Sequence, residues 1–186
     1  MKQRTAFAVL LVLALCAIAL AATDFSGTWV LDRSRSDQPQ MGRPGGGGGG
    51  GGGQGGGPRG EMAVTLVIKQ TANDFLVTRK VSRGGQEMPP SEQKFTLDGK
   101  ENKNTMQFGG RGGGEGRTSE MVTKSKWNGA TLVVEGTQKM STPNGDFDIG
   151  IKNEYALSDG GKTLTITSTR SQPDGDRTTK QVYAKK

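Results

Sequence analysis

Apolar and polar residues alternate with a period of two through most of the chain from Met62 onward. Met62, Val64, Leu66 and Ile68 share one phase, and Asn73-Asp74 marks a turn behind them. Phe75, Val77, Arg79 and Val81 share the next phase; Ser91 to Leu97 leads to Asp98-Gly99, and a weaker run covers Asn104 to Phe108. Arg117 to Trp127 enters Asn128-Gly129 and returns as Ala130 to Met140. Pro143-Asn144-Gly145 precedes Phe147, Ile149, Ile151, Asn153, Tyr155 and Leu157 on one face. Asp159-Gly160-Gly161 then turns into Leu164 and Ile166, and Pro173-Asp174-Gly175 into a last run ending near Tyr183.

Such alternation is the signature of strands with one buried face. Asn-Gly and Asp-Gly favour tight hairpins, because type I′ turns need positive φ at both central residues. No ten-residue stretch of this region carries helical periodicity. The pattern predicts an all-β, antiparallel, up-and-down meander of about eight to ten strands, with Asp24 to Asp32 holding the first of them. A meander of that length must protect its edges, and closure into a barrel does so while leaving room for one small ligand. A barrel is therefore expected, with a two-sheet sandwich as the alternative.

Two segments break the pattern. Lys2 and Arg4 precede an unbroken run of 17 apolar residues, Ala6 to Ala22, which ends in small residues spaced as Ala-x-Ala. That order predicts a cleaved signal helix over 1–21 and hence an exported protein, periplasmic or secreted. The run is slightly short for a membrane anchor. Leu13-Ala14-Leu15-Cys16 departs from a lipid-attachment motif at Leu15, so a lipid anchor at Cys16 is not expected. The second break spans 38–60. From Gly42 to Gly60 there are 14 glycines in 19 residues, too little apolar surface to offset ordering entropy. A disordered insertion within one β domain, residues 22–186, is the expectation.

Composition narrows the chemistry. Cys16 is the sole cysteine and there is no histidine. After cleavage the chain has no disulfide, no thiol nucleophile, no imidazole base and none of the commonest zinc or copper ligands. No cofactor, metal site or catalytic residue is expected. The formal charge is +7, modest and dispersed, in keeping with a soluble surface and a weak preference for anions.

Gly27-Thr28-Trp29, opening the first strand, resembles the Gly-x-Trp signature of lipocalins and the wider calycin group. With its hairpins, the region from Asp24 to Lys186 is similar to small exported bacterial lipocalin-like proteins. The resemblance implies a β-barrel whose Trp29 packs across one end near a late-strand arginine, for which Arg170 is the counterpart. It also implies a binding cavity without naming a ligand. Disulfides and the helix that follows a lipocalin barrel are missing.

Arg79 continues the phase of Phe75 and Val77, and Arg170 that of Leu164 and Ile166. Guanidinium groups on inward phases would hold an anionic head group, whereas arginines at a barrel rim would only be solvated. Fatty-acid-binding relatives of this architecture carry Arg-x-Tyr on the last strand, where this chain has Gln181-Val182-Tyr183. Tyr155 and Tyr183 offer hydroxyls to a ligand or serve as core aromatics with a wet tip. Asp146 and Asp148 flank Phe147 and read as a solvated face rather than a cation site. Gly42 to Gly60, Arg83-Gly84-Gly85 and Gly109 to Gly114 look like nucleic-acid-binding Gly-Arg elements, but lack interleaved aromatics and follow an expected export signal. Nucleic acid is not the expected partner.

The expectation is a non-enzymatic binding module for a small apolar or anionic amphipathic ligand, with Trp29, Arg79, Tyr155, Arg170 and Tyr183 as candidate site residues. The alternative is an envelope interaction protein with a filled barrel and a Gly-rich loop reaching a partner.

Overall fold

The computed structural model describes residues 23–37, 62–108, 117–142, 145–172 and 175–186. The segment 1–21 expected to be a signal, with Cys16, the expected insertion 38–60, the run Gly109 to Gly114, Pro143-Asn144 and Pro173-Asp174 lie outside the described residues.

Among the described residues eleven strands form one antiparallel sheet: β1 (Gly27–Asp32), β2 (Met62–Gln70), β3 (Asp74–Arg83), β4 (Gln86–Glu87), β5 (Ser91–Thr96), β6 (Asn102–Phe108), β7 (Arg117–Asn128), β8 (Thr131–Thr142), β9 (Gly145–Ser158), β10 (Thr163–Gln172) and β11 (Gly175–Lys185). The one helical element described is the 3-10 turn Asp159–Gly161 between β9 and β10. The count exceeds the expected ten because the two-residue β4 pairs with the end of β3 before β5 takes over the same edge.

Strands pair in the order β5–β3–β2–β1 and in sequence from β6 to β11, and β1 joins these halves by pairing with β11. β5 and β6 share no backbone ladder; there the ring is closed by a side chain. Asn104 of β6 accepts from the Lys94 N–H and donates to the Lys94 carbonyl, both at 2.9 Å, and Asn102 donates to the same carbonyl. An amide side chain thus supplies the rung that a strand partner would otherwise provide. The sheet is barrel-like with one seam.

Register places the inward phases as the alternation predicts. Val64, Leu66 and Ile68 are buried on β2, Phe75 and Val77 on β3, Ile149, Ile151 and Tyr155 on β9, and Leu164 and Ile166 on β10. The outward phases are polar and carry exposed cross-strand pairs such as Lys103–Glu120, Lys126–Glu135 and Lys139–Asp146. Exposed pairs of this kind add little stability and serve mainly to keep the surface wet. Asp146 lies on this face, as its alternation with Phe147 suggests.

One end of the ring is packed solid. Trp29, Phe25 and Phe75 are each fully buried, and the Trp29 indole nitrogen donates to the Phe25 carbonyl at 2.9 Å. Phe25 stacks on Trp127 at 6.1 Å between ring centroids and meets Phe75 edge-on at 5.8 Å. This base carries tight connections, including Asn128-Gly129, where Gly129 takes a φ of 59°. The cation over the Trp29 ring is Lys185, with Nζ 5.2 Å from the centroid. Arg170, the residue the lipocalin resemblance suggested for that place, lies elsewhere on the barrel wall, because Leu164, Ile166 and Ser168 precede it on the inward phase of β10 and carry it away from the base.

Candidate functional site

Above the aromatic base the inward side chains become shorter or polar and no longer meet across the ring. On β9 the inward series runs Tyr155, Asn153, Ile151 and Ile149; on β10 it runs Leu164, Ile166, Ser168 and Arg170. Ser168 and Asn153 stand directly opposite each other. The result is a cavity of about 920 Å³, within the range of small-molecule sites.

Its walls divide by chemistry. Leu66, Val77, Met121, Met140, Ile149, Ile151 and Ile166 are apolar; Asn153, Ser168, Gln181 and Gln138 present amides and a hydroxyl. Pro89, Pro90, Ser91 and Glu92 line the side where the connection between β4 and β5 meets the seam. Glu92 accepts from the Thr78 hydroxyl at 3.0 Å. Arg79 and Arg170 also line the cavity and are exposed, so they stand where it meets solvent.

Tyr155 forms the floor. It is 4% exposed, and its ring meets Phe75 at 5.1 Å and Phe25 at 6.3 Å, both nearly edge-on, the favourable aromatic geometry. Burial and then the neighbouring Tyr183 phenol raise its pKa far above the ordinary tyrosine value. Tyr183, 1% exposed, donates its hydroxyl to the Gln181 side chain at 3.0 Å. Burial pushes its pKa up to about 12, partly opposed by the charge of Arg79. Both phenols are neutral donors across the physiological range.

Of the residues expected from sequence, the structure gathers Arg79, Tyr155, Arg170 and Tyr183 around one cavity. Trp29 is not among the lining residues; it belongs to the packed base beneath Tyr155. The residues that sequence reading did not single out are Gln138, Ser119, Asn153, Ser168 and Gln181. Their signal was a polar residue on an otherwise apolar inward phase, as at Gln138 between Val134 and Met140, and it became readable once the register fixed the phase.

Among the described residues no group of three or more acidic, cysteine or histidine side chains could hold a metal. The walls are apolar with a few directional polar groups.

No protein-family model matches the chain, and no curated protein matches it. Among solved structures it is similar to the zebrafish ileal bile acid-binding protein complexed with cholic acid, at 17% identity and a TM-score of 0.48, over 87% of this chain and 98% of that one.

Proposed function

We propose that the protein is an exported binding module that holds one small apolar or amphipathic molecule inside its β-barrel and performs no chemistry on it. The observation that carries this reading is the cavity of about 920 Å³, which sits between a packed aromatic floor and an arginine-bearing mouth. A barrel serving only as a spacer would gain stability by filling that volume, since interiors ordinarily pack to crystal-like density. Aliphatic walls favour an apolar body, while Arg79, Arg170 and the amides offer directional contacts to a polar group.

Export is supported by the charged start, apolar run and Ala-x-Ala ending of residues 1–21. In that setting the protein would carry or sequester a sparingly soluble compound outside the cytoplasm.

Native mass spectrometry of the protein purified from its own host tests the proposal. A reproducible extra mass, lost on denaturation, is the expected result. Bare protein that also shows no shift on adding lipids would overturn it.

A further inference from the structure

The polar side chains inside the barrel fall into two sets. The first set is spent on protein partners. The Ser119 hydroxyl donates to the Lys139 carbonyl at 2.7 Å and accepts from the Gln138 amide nitrogen at 3.0 Å. The Gln138 carbonyl oxygen completes the relay by accepting from an Arg170 guanidinium nitrogen at 3.0 Å. On β11 the Tyr183 hydroxyl is likewise committed to Gln181.

The second set is Tyr155, Asn153 and Ser168, which all line the cavity. Their side chains make no hydrogen bond to any of the described residues. Among the described residues Thr123 Oγ1 is the one enclosed side-chain polar atom without a partner. The Tyr155 oxygen is therefore not sealed into packing but faces the open volume, although the residue is only 4% exposed.

The three form one patch. Asn153 and Tyr155 are successive inward residues of β9, and Ser168 stands opposite Asn153 on β10. Their other cross-strand neighbours are Leu132, Val134, Ile166 and Thr179, none of them charged. A phenylalanine in place of Tyr155 would keep the edge-on contacts with Phe25 and Phe75 without desolvating a hydroxyl. An aliphatic residue in place of Asn153 would continue the series of Ile149 and Ile151. What the polar residues add is hydrogen-bonding capacity at the inner end of the cavity. The phenol, kept protonated by its burial, is a donor; the amide and the serine hydroxyl both donate and accept. An ionised group placed here would lose its hydration with no opposite charge beside it, which disfavours an anion at this depth.

We infer that the wall of β9 and β10 above the aromatic floor is a subsite for an uncharged oxygen. It takes the hydroxyl or carbonyl group of an otherwise apolar ligand, which lies with that oxygen inward against Tyr155, Asn153 and Ser168. The inference rests on the binding reading above and specifies the class of ligand, one with an alcohol or ketone at its inner end.

The test uses the full chain, freed of co-purifying ligand, and a series of one shape: fluorene, 9-fluorenone, 9-fluorenol and fluorene-9-carboxylate. Their affinities are read by displacement of neutral 1-aminoanthracene. The ketone binds roughly three- to tenfold more tightly than fluorene, the worth of one net hydrogen bond. Tyr155→Phe brings that ratio close to one. Asn153→Leu and Ser168→Ala each lower the preference for 9-fluorenol over fluorene severalfold, and either keeps the test intact should another variant fail to fold. In the ligand-free state Tyr155→Phe unfolds at the same temperature or a higher one, because it deletes an unpaired donor. A lower midpoint would show that the hydroxyl holds the fold together and would overturn the inference. So would a ketone-to-fluorene ratio near one, or a ratio unmoved by Tyr155→Phe; both leave cavity binding standing. A carboxylate affinity that falls with Tyr155→Phe as steeply as that of the ketone would overturn the restriction to uncharged oxygen. Failure of the whole series and of 1-aminoanthracene to bind would overturn the binding reading itself.

Discussion

The side-chain amide of Asn104 bonds both backbone groups of Lys94, accepting from its N–H and donating to its carbonyl at 2.9 Å each. This pairing spans the one break in the ring of backbone ladders, between β5 and β6. A side chain that mimics a peptide group at a sheet edge satisfies donors and acceptors that would otherwise invite another strand.

Asn104 is 9% exposed, so replacing it with leucine leaves the Lys94 N–H without its side-chain partner in a part-buried bond. Asn104→Leu is expected to destabilise the protein by about 1–3 kcal/mol. Urea denaturation reads the loss, and hydrogen exchange locates it: the Lys94 amide should lose protection while amides of β9 and β10 keep theirs. Unchanged protection at Lys94 would mean that the seam is closed by other contacts.

A second prediction concerns the close approach of β7 to Gly136 of β8. A Cβ built on Gly136 would lie 1.9 Å from the Val122 carbonyl oxygen and 2.8 Å from the Thr123 Cα. Both are backbone atoms, so no side-chain rotation relieves the clash. Gly136→Ala therefore forces the strands apart next to Thr123, whose hydroxyl is already buried without a hydrogen-bond partner. A loss of about 3 kcal/mol is expected, at the upper end of overpacking effects. Gly150→Ala, whose Cβ would meet the Ser171 Cβ at 3.1 Å, should cost less, because a displacement of a few tenths of an ångström relieves that contact. Thermal unfolding of the two variants side by side provides the comparison.

Much of this architecture was legible in the alternation of the sequence. The inward phases of β2, β3, β9 and β10 follow from one rule, that successive strand residues face opposite ways. Hairpin signals such as Asn128-Gly129 then fix which strands are neighbours. Two kinds of information were not accessible. The seam depends on a single asparagine, and nothing local in Asn102-Lys103-Asn104 distinguishes a strand-closing amide from a solvated one. The lateral position of a residue depends on accumulated register around the ring, so Lys185 and not Arg170 reaches Trp29. The relay from Ser119 through Gln138 to Arg170 was invisible for the same reason: its members are 19 and 32 residues apart in sequence.

The cavity gives a third prediction. Ser168 lines it opposite Asn153, so a tryptophan there would extend into empty space without displacing the core. Ser168→Trp is expected to weaken binding of neutral 1-aminoanthracene by more than about tenfold, through loss of the volume that the probe occupies. Its unfolding midpoint should stay within the small range of substitutions that create neither a cavity nor a clash. Strong probe binding with the introduced indole buried, seen as a blue-shifted emission, would place the ligand outside this cavity.

The last prediction follows from the phenols at the floor. Tyr183 has an ordinary pKa near 10 when unfolded, and burial pushes it up to about 12 in the native state. Tyr155 is shifted in the same direction, first by its own burial and then by Tyr183. Below pH ~10 both residues are protonated in the folded and unfolded chains, and their stabilising contribution is fully present. As pH rises from about 10 toward 12 the unfolded chain loses protons first, binds fewer than the native state, and stability falls. For Tyr183 alone the loss on complete ionisation is roughly 2–3 kcal/mol, from about 1.4 kcal/mol per unit. Tyr183→Phe should flatten part of that alkaline slope, although it also removes the bond to Gln181 and so lowers stability at neutral pH by about 1 kcal/mol. Urea midpoints measured between pH 8 and 12, alongside phenolate absorbance, separate the two effects. An unchanged slope in the variant would show that Tyr183 ionises in the native state as freely as in water.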